Sequence, residues 1–255
     1  MASEEMCAQI RKAGRALMMS NHTMEVYPPT ATPKQAEFML ALFGYELAYR
    51  EQNKRRRLIR RAAFPVPKGF EGYDWSPVVL PPSITREELI DASFIARAEN
   101  LICFGPVGIG KSHMVTAIGM SACEKGMRVR FITTSELVLR LMSAKEDGSL
   151  AKVLAEFCSN DALVLDEFGY VPIDRDGARL LFQVISRVYE SKSLLLTTNL
   201  EFSRWGTVLT EESMASAMVD RLLHHGHVIT FKGESYRMRH ALINAKGKAG
   251  GSDGK

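Results

Sequence analysis

The sequence predicts an α/β fold in which a parallel sheet carries helices on both faces, preceded by a smaller all-α N-terminal domain. From residue 100 onward, short apolar runs typical of buried strands alternate with helical patterns, an order that indicates parallel strands. Before residue 64 the patterns are helical. The chain of 255 residues has room for one domain of roughly 200 residues and a smaller appendage. The predicted strands occupy 101–104, 127–132, 162–165 and 193–198, and the helices between them 114–125, 136–144, 150–157 and 177–190.

The loop after the first predicted strand has the sequence of a phosphate-binding loop. Residues 105–112 fit the pattern G-x-x-x-x-G-K-[ST], and they lie between a strand and a helix, as that motif requires. Backbone N–H groups of such a loop surround the phosphates of ATP or GTP, and the helix N-terminus favours anions. We expect Lys111 to reach the β- and γ-phosphates and Ser112 to bind Mg²⁺. The predicted nucleotide contacts here are Gly105, Pro106, Val107, Gly108, Ile109, Gly110, Lys111, Ser112 and His113.

Polar residues follow two further predicted strands. Asp166 and Glu167 come directly after 162–165, and Asn199 comes directly after 193–198. In phosphate-loop enzymes an acidic residue at such a strand tip holds Mg²⁺, so we assign this role to Asp166. A second carboxylate can take a proton from the attacking water, which we expect of Glu167. Asn199 is expected to orient that water or to sense the γ-phosphate.

The composition excludes several classes of protein. The chain is 46% apolar and 24% charged, which is ordinary for a globular protein. It has no apolar run of about 20 residues, so a membrane partner is not expected, and its N-terminus lacks the order of a secretory signal. The four cysteines form no C-x-x-C pair, which argues against a zinc site or a disulfide framework. We therefore expect a reducing cytoplasm.

The N-terminal part divides at prolines. A helix is predicted to begin at Thr32-Pro33, with Thr32 as its cap, and either this helix or a second one after Gly44 continues to about Ala63. A further helix is predicted over 85–99. For residues 1–25 the sequence predicts one short helix, and it does not decide whether this helix is mobile. The predicted organisation is an N-terminal segment (1–25), a helical basic domain (26–63), an extended linker (64–84), a nucleotide-binding domain (85–244) and a disordered tail rich in Gly, Lys and Ser (245–255).

A dense basic cluster lies at the end of the predicted N-terminal helix. Seven basic residues fall within 50–61, against the single acid Glu51. Such a stripe can neutralise successive phosphates of a duplex, and no aromatic residue is interleaved to stack on single-stranded bases. The alternative is a solvated helix face. The predicted DNA contacts are Arg50, Lys54, Arg55, Arg56, Arg57, Arg60 and Arg61, with Arg140, Lys145 and Lys152 as further candidates.

Five motifs together resemble those of one known family. They are Asp-Glu-Phe-Gly-Tyr-Val-Pro at 166–172, Gly-Ala-Arg-Leu-Leu-Phe at 177–182, Thr-Thr-Asn-Leu at 197–200, Asp-Arg-Leu-Leu-His-His-Gly at 220–226 and Gly-Glu-Ser-Tyr-Arg at 233–237. Over about residues 33–241 the chain resembles the IstB family of AAA+ ATPases, ATP-binding helper proteins of bacterial insertion sequences related to the DnaC and DnaI helicase loaders. The resemblance implies a three-layer AAA+ P-loop NTPase fold, ATP hydrolysis with Mg²⁺, binding to duplex DNA, ATP-promoted self-assembly, a transposase encoded by the same element as partner, and a bacterial cytoplasmic location.

The resemblance also implies roles for individual residues. The phosphate loop and the acidic pair match the family's motifs, and Asn199 matches its first sensor. Arg221 matches an arginine that reaches the ATP of a neighbouring subunit; on its own it would be a surface arginine paired with Asp220. Arg237 matches a second sensor arginine of the relatives. The chain differs from the family mildly, since Ile109 and Ser112 occupy positions where threonine is common.

Three functions are compatible with these features. The leading hypothesis is an ATP-dependent transposition helper that assembles on duplex target DNA, remodels it and recruits a transposase, hydrolysis controlling its disassembly. The alternative is a replicative helicase loader similar to DnaC, which should prefer single strands. A nucleotide-gated DNA-binding module without catalysis is disfavoured by Glu167. His224 and His225 resemble zinc ligands, but since no other His or Cys cluster joins them in sequence, packing or hydrogen bonding is the favoured interpretation.

Overall fold

The computed structural model of the chain describes residues 1–235, which fall into two compact units that divide between Arg57 and Leu58. Arg237 and the predicted tail 245–255 lie outside the described residues. The helices are α1 (Glu4–Ala16), α2 (Asn21–Val26), α3 (Pro33–Ala62), α4 (Arg86–Asp91), α5 (Lys111–Glu124), α6 (Thr134–Glu146), α7 (Leu150–Cys158), α8 (Arg175–Val188), α9 (Trp205–Leu209) and α10 (Glu212–His224). Short 3-10 helices occupy Pro28–Thr30, Ser93–Arg97 and Phe202–Arg204. The strands are β1 (Val78–Val79), β2 (Asn100–Phe104), β3 (Val129–Thr133), β4 (Ala162–Phe168), β5 (Ser193–Thr198) and β6 (Gly226–Phe231).

The six strands form one sheet in the order β1-β6-β2-β5-β4-β3. All pairings are parallel except that of β1 with β6, which confirms the predicted α/β architecture. Successive strand residues face opposite sides, so Ile102 joins the apolar cluster beneath α6 and α8, whereas Leu101 and Cys103 join the cluster beneath α5. Helices therefore cover both faces, and the fold has three layers.

The sheet order brings three strand ends together. Strand β5 lies between β2 and β4, and it is buried along its whole length. Because these strands are parallel, the residues that follow β2, β4 and β5 emerge at the same edge of the sheet. This edge is where ligands bind in open α/β sheets.

Three features of this unit differ from the sequence prediction. Strands β1 and β6 were not predicted; β6 pairs with β2 over Asn100–Phe104, and β1, at the edge of the sheet beyond β6, contributes only two residues. Strand β4 continues to Phe168, past the predicted end at residue 165. The single helix predicted over 85–99 is wrong, because Ala92 takes a left-handed conformation (φ +53°) that ends α4 and separates it from a 3-10 helix.

The N-terminal unit consists of helices, as predicted, but residues 1–25 form two helices rather than one. The side chains of Ser3 and Ser20 accept hydrogen bonds from backbone N–H groups in the first turns of α1 and α2, which starts each helix. Ile10 and Met24 are fully buried in a cluster with Phe43 of α3. Helix α3 begins at Pro33, as predicted, and continues through the basic cluster without a break. Within residues 1–235, no helix has the length and apolar character needed to cross a membrane.

Candidate nucleotide-binding site

The loop that joins β2 to α5 is shaped by three glycines. Gly105, Gly108 and Gly110 have φ angles of +151°, +77° and +112°, in the region that favours glycine. A Cβ added at Gly105 would lie 2.6 Å from the carbonyl oxygen of Phe231 in β6. The N–H of Gly105 also donates to the carbonyl oxygen of Thr198 in β5, at 3.2 Å. Glycine is thus required at the start of the loop by the close approach of β6.

Lys111 is held inside this loop. Its side chain is buried, and Nζ donates to the carbonyl oxygens of Gly105 and Pro106, both at 2.7 Å. Burial lowers the pKa of the Lys111 ammonium below its ordinary value, because desolvation disfavours the charged form. The amino group therefore lies within the concave side of the loop, bonded to neutral acceptors that an anion can replace.

Ser112 and Asp166 meet where β4 passes the start of α5. The Ser112 hydroxyl donates to Oδ1 of Asp166 at 2.9 Å, and the Thr197 hydroxyl of β5 donates to the same oxygen. Asp166 is buried, and Thr134 donates to its backbone carbonyl oxygen at 3.1 Å. A serine hydroxyl beside a buried carboxylate is a set of hard oxygen donors of the kind that Mg²⁺ prefers. The residues present therefore fit a magnesium ion.

Glu167 lies in an irregular part of β4. The pairing register of β4 with β5 shifts between Leu165 and Phe168, and Glu167 has φ +59°. Its N–H donates to the Thr197 hydroxyl at 3.0 Å, which fixes this bulge. As a result Asp166 stays buried while the exposed Glu167 lines a cavity with Lys111 and Ser112.

This cavity has a volume of about 340 Å³. It combines residues of the phosphate loop with others from the segment before β1, which belongs to the predicted linker 64–84. Its lining consists of Lys68, Gly72, Tyr73, Asp74, Val107, Gly108, Ile109, Gly110, Lys111, Ser112, His113, Glu167 and Tyr170. Lys68, Gly72, Tyr73, Asp74 and Tyr170 were not predicted as site residues. The aromatic residues among the prolines of 64–84 were the available signal.

An aromatic cluster anchors the segment before β1 to the phosphate loop. The Tyr73 hydroxyl donates to the carbonyl oxygen of Gly110 at 3.3 Å, and its ring lies edge-on to His113, with centroids 4.9 Å apart. Phe70 stacks on Trp75 at 5.4 Å, and the guanidinium of Arg86 lies 4.4 Å above the Trp75 ring. Burial raises the pKa of Tyr73 well above its ordinary value, so its hydroxyl remains a donor to the loop.

The other predicted catalytic residues of the described part of the chain do not line this cavity. Asn199 follows β5 and is exposed, and it is not among the described residues that line the cavity. Arg221 lies on α10, where its guanidinium sits 4.7 Å above the Phe182 ring and donates to the carbonyl oxygen of Ala217 at 3.0 Å. Within residues 1–235 it forms no ion pair with Asp220, so the alternative of a paired surface arginine is wrong.

The predicted DNA contacts fall into two groups. Some are paired with acids: Arg50 with Glu46 at 2.6 Å, Arg55 with Glu51 at 3.4 Å and Lys54 with Glu51 at 4.0 Å, and likewise Arg140 with Glu156 at 2.6 Å and Lys145 with Asp176 at 2.8 Å. Lys152 is exposed. Like Lys152, the rest are exposed and have no acidic partner in the described part of the chain; they are Arg56, Arg57, Arg60 and Arg61. The uncompensated charge is thus concentrated in the last turns of α3.

Three features meet at adjoining strand ends of the parallel sheet: a phosphate loop, a buried hydroxyl–carboxylate pair and an exposed acid. Together they define a P-loop nucleotide-binding protein of the AAA+ class. Residues 25–244 match the family described as IstB-like ATP binding protein, and the chain belongs to this family.

Two similar proteins come from insertion sequences. A protein named for ATP binding in insertion sequence IS5376 of Geobacillus stearothermophilus is 38% identical over 219 residues, 85% of this chain and 86% of the relative. Its counterpart in IS21 of Pseudomonas aeruginosa is 36% identical over 206 residues, 80% of this chain and 77% of the relative. Among solved structures, the DnaC helicase loader matches with a TM-score of 0.52 at 22% identity, over 64% of this chain and 96% of that one. AMPPCP-bound DnaA from Aquifex aeolicus also matches at 0.52, with 16% identity, over 72% of this chain and 56% of that one. These two likenesses show the AAA+ fold.

Proposed function

We propose that this protein is an ATP-dependent helper of DNA transposition. In this account it binds ATP and Mg²⁺, assembles on duplex target DNA, remodels that DNA and recruits the transposase of its own element, and hydrolysis ends the assembly. The observation that carries the proposal is that Lys111, Ser112 and Glu167 line one cavity, with the buried Asp166 hydrogen-bonded to Ser112, in a member of an insertion-sequence family. The alternative function is a helicase loader, and the insertion-sequence origin of the relatives favours the transposition helper.

The proposed nucleotide site uses groups that are already positioned. Lys111 would exchange the carbonyl oxygens of Gly105 and Pro106 for phosphate oxygens, and the loop N–H groups would donate to the same phosphates. Ser112 and Asp166 would hold Mg²⁺, which when bound neutralises the charge that develops on the phosphates. Tyr73 and His113 would keep the loop in place from the outside.

The proposed hydrolysis needs residues from more than one subunit. Glu167 would accept a proton from the attacking water, and Asn199 would orient that water. Arg221 would stabilise the phosphoryl charge in a neighbouring subunit, a contribution of about 10³–10⁵ in rate in better-studied hydrolases. Its present partners, the Phe182 ring and a backbone carbonyl, are neutral, so no ion pair must break before it reaches another chain. Arg237 would contact nucleotide as a second sensor.

Mixing two inactive variants tests whether Arg221 acts between subunits. We expect Arg221→Ala to bind ATP but hydrolyse it slowly, and Lys111→Ala to bind none. In a mixture, Lys111→Ala subunits would supply their intact Arg221 to the ATP sites of Arg221→Ala neighbours, so phosphate release should partly recover. The control is each variant measured alone at the same total protein concentration. Release no greater than the sum of the two separate rates would contradict the assignment.

The proposed DNA surface is the unpaired basic end of α3, which would contact phosphates without reading sequence. We expect Arg56→Ala/Arg57→Ala to weaken duplex binding and to reduce the slope of log affinity against log salt by about 1.8, since each phosphate contact contributes about 0.9. Fluorescence anisotropy with a labelled duplex, in the presence of ATP, measures this slope.

The matched control removes the same charge elsewhere. Arg97 is paired with Glu88 and Glu99, and Lys125 with Asp91, so Arg97→Ala/Lys125→Ala should leave the salt slope unchanged. An equal loss of slope in both variants would mean that only net charge matters, and the proposed surface would be wrong.

Recruitment is tested by co-sedimentation of the transposase with protein bound to duplex DNA. We expect the transposase to co-sediment in ATP but not in ADP. Equal co-sedimentation in both nucleotides would refute recruitment.

A further inference from the structure

Three side chains that can bind metal meet at the adjoining ends of α8 and α10. Glu190 follows α8, His224 is the last residue of α10 and His225 comes next. Nε2 of His225 lies 3.3 Å from Oε1 of Glu190, and Nδ1 of His224 lies 3.9 Å from the same oxygen. One ligand atom from each of the three lies within 4.8 Å of the other two. His224 and His225 have no further candidate ligand near them in the sequence, but the fold places Glu190, 34 positions before His224, beside them.

We propose that Glu190, His224 and His225 form a binding site for a divalent transition-metal ion of the zinc type. Imidazole nitrogen and carboxylate oxygen bind Zn²⁺ at about 2.0–2.2 Å, so two ligand atoms of a tetrahedral site lie about 3.3–3.5 Å apart. The separation between His225 and Glu190 already has this value. All three side chains are exposed, so rotation about their own bonds closes the remaining distances, and water completes the fourth position.

The surroundings of the cluster favour a cation. The C-terminal ends of α8 and α10 both border the cluster, and a helix C-terminus carries partial negative charge. The Tyr189 hydroxyl lies 2.9 Å from Nδ1 of His224. Nδ1 is also the His224 atom that lies 3.9 Å from Oε1 of Glu190, so a metal ion bound at Nδ1 would replace this hydrogen bond. Arg221 is the nearby opposing charge, but its guanidinium is directed onto Phe182.

Bound metal would join the end of α10 to the end of α8. Arg221 lies three positions before His224 on α10, and its ring partner Phe182 belongs to α8. The ion would hold these two helix ends together and keep Arg221 seated on its own subunit. Slower ATP turnover in Zn²⁺ is the consequence; this step rests on the proposed function, whereas the metal site itself does not.

Metal binding is tested by calorimetric titration of Zn²⁺ into the full chain, without a polyhistidine tag and without nucleotide. We expect one ion per chain with micromolar affinity in the unmodified protein, and affinity at least tenfold weaker in Glu190→Gln and in His225→Gln. His22→Gln, which alters an exposed histidine of α2, is the matched control and should bind as the unmodified protein does. Absence of binding, or equal binding by all four proteins, would overturn the site.

Phosphate release measured with and without Zn²⁺ separates the site from its consequence. Slowing in the unmodified protein and the His22→Gln control, but not in His225→Gln, supports the restraint on Arg221. Zinc binding that leaves turnover unchanged overturns the restraint. If no form of the protein hydrolyses ATP, the proposed function fails, and the titration still decides the site.

Discussion

Replacing Lys111 with alanine is expected to abolish measurable nucleotide binding. The ammonium is buried in the loop and donates to two carbonyl oxygens, so it is already desolvated and directed towards the phosphate position. Removing one partner of a buried, hydrogen-bonded charge pair costs about 2–5 kcal/mol, which is at least about 30-fold in affinity. Titration with a fluorescent ATP analogue measures the loss.

Two further variants isolate the effect of the charge. Lys111→Met keeps most of the buried stem, so it should lose nucleotide binding while its melting temperature stays near that of the unmodified protein. Lys12→Ala removes an exposed lysine of α1 and should bind normally. Binding by Lys111→Met within a few-fold of the unmodified protein would show that the loop does not use this ammonium.

Replacing Glu167 with glutamine is expected to leave ATP binding intact and to slow hydrolysis by about 10²–10⁴-fold, the usual contribution of a positioned base. Glutamine has the shape of glutamate, and the bulge is held by the backbone N–H bond to Thr197, so the loop geometry should persist. The side chain is exposed in the cavity, where it can reach a water molecule. Binding by the ATP analogue and phosphate release are measured on the same preparation.

Glu201→Gln provides the comparison, because Glu201 is an exposed acid just after β5 that does not line the cavity among the described residues. It should hydrolyse ATP at the unmodified rate. Should Glu167→Gln also keep its turnover, the base would have to be another group, and the role assigned to the acidic pair would be wrong.

The central part of the fold was predictable because its signals are local. Strands β2, β4 and β5 are buried on both faces, so they appear in sequence as continuous apolar runs, as in Leu194–Leu196. The phosphate loop is a contiguous motif whose glycines, lysine and serine have fixed spacing. Since parallel strands end at one edge, the meeting of Ser112 and Asp166 followed from the predicted parallel sheet.

What escaped prediction depends on contacts between distant residues. Strand β6 alternates buried and half-buried residues, and it is defined by pairing with β2 more than 120 positions earlier. The turn of Glu167 into the cavity arises from a bulge held by Thr197, which no local pattern encodes. Tyr73 reaches the phosphate loop, and Glu190 reaches His225, only because the chain folds back on itself.

The most direct test of the proposed function measures particle size on DNA with hydrolysis blocked. The Glu167→Gln protein would be mixed with a duplex or with a single strand of equal length, with ATP or without nucleotide, and followed by light scattering. Large particles that require both ATP and the duplex are predicted, with Lys111→Met forming none. Binding to single strands only, without large particles, would contradict the transposition helper and favour the helicase loader.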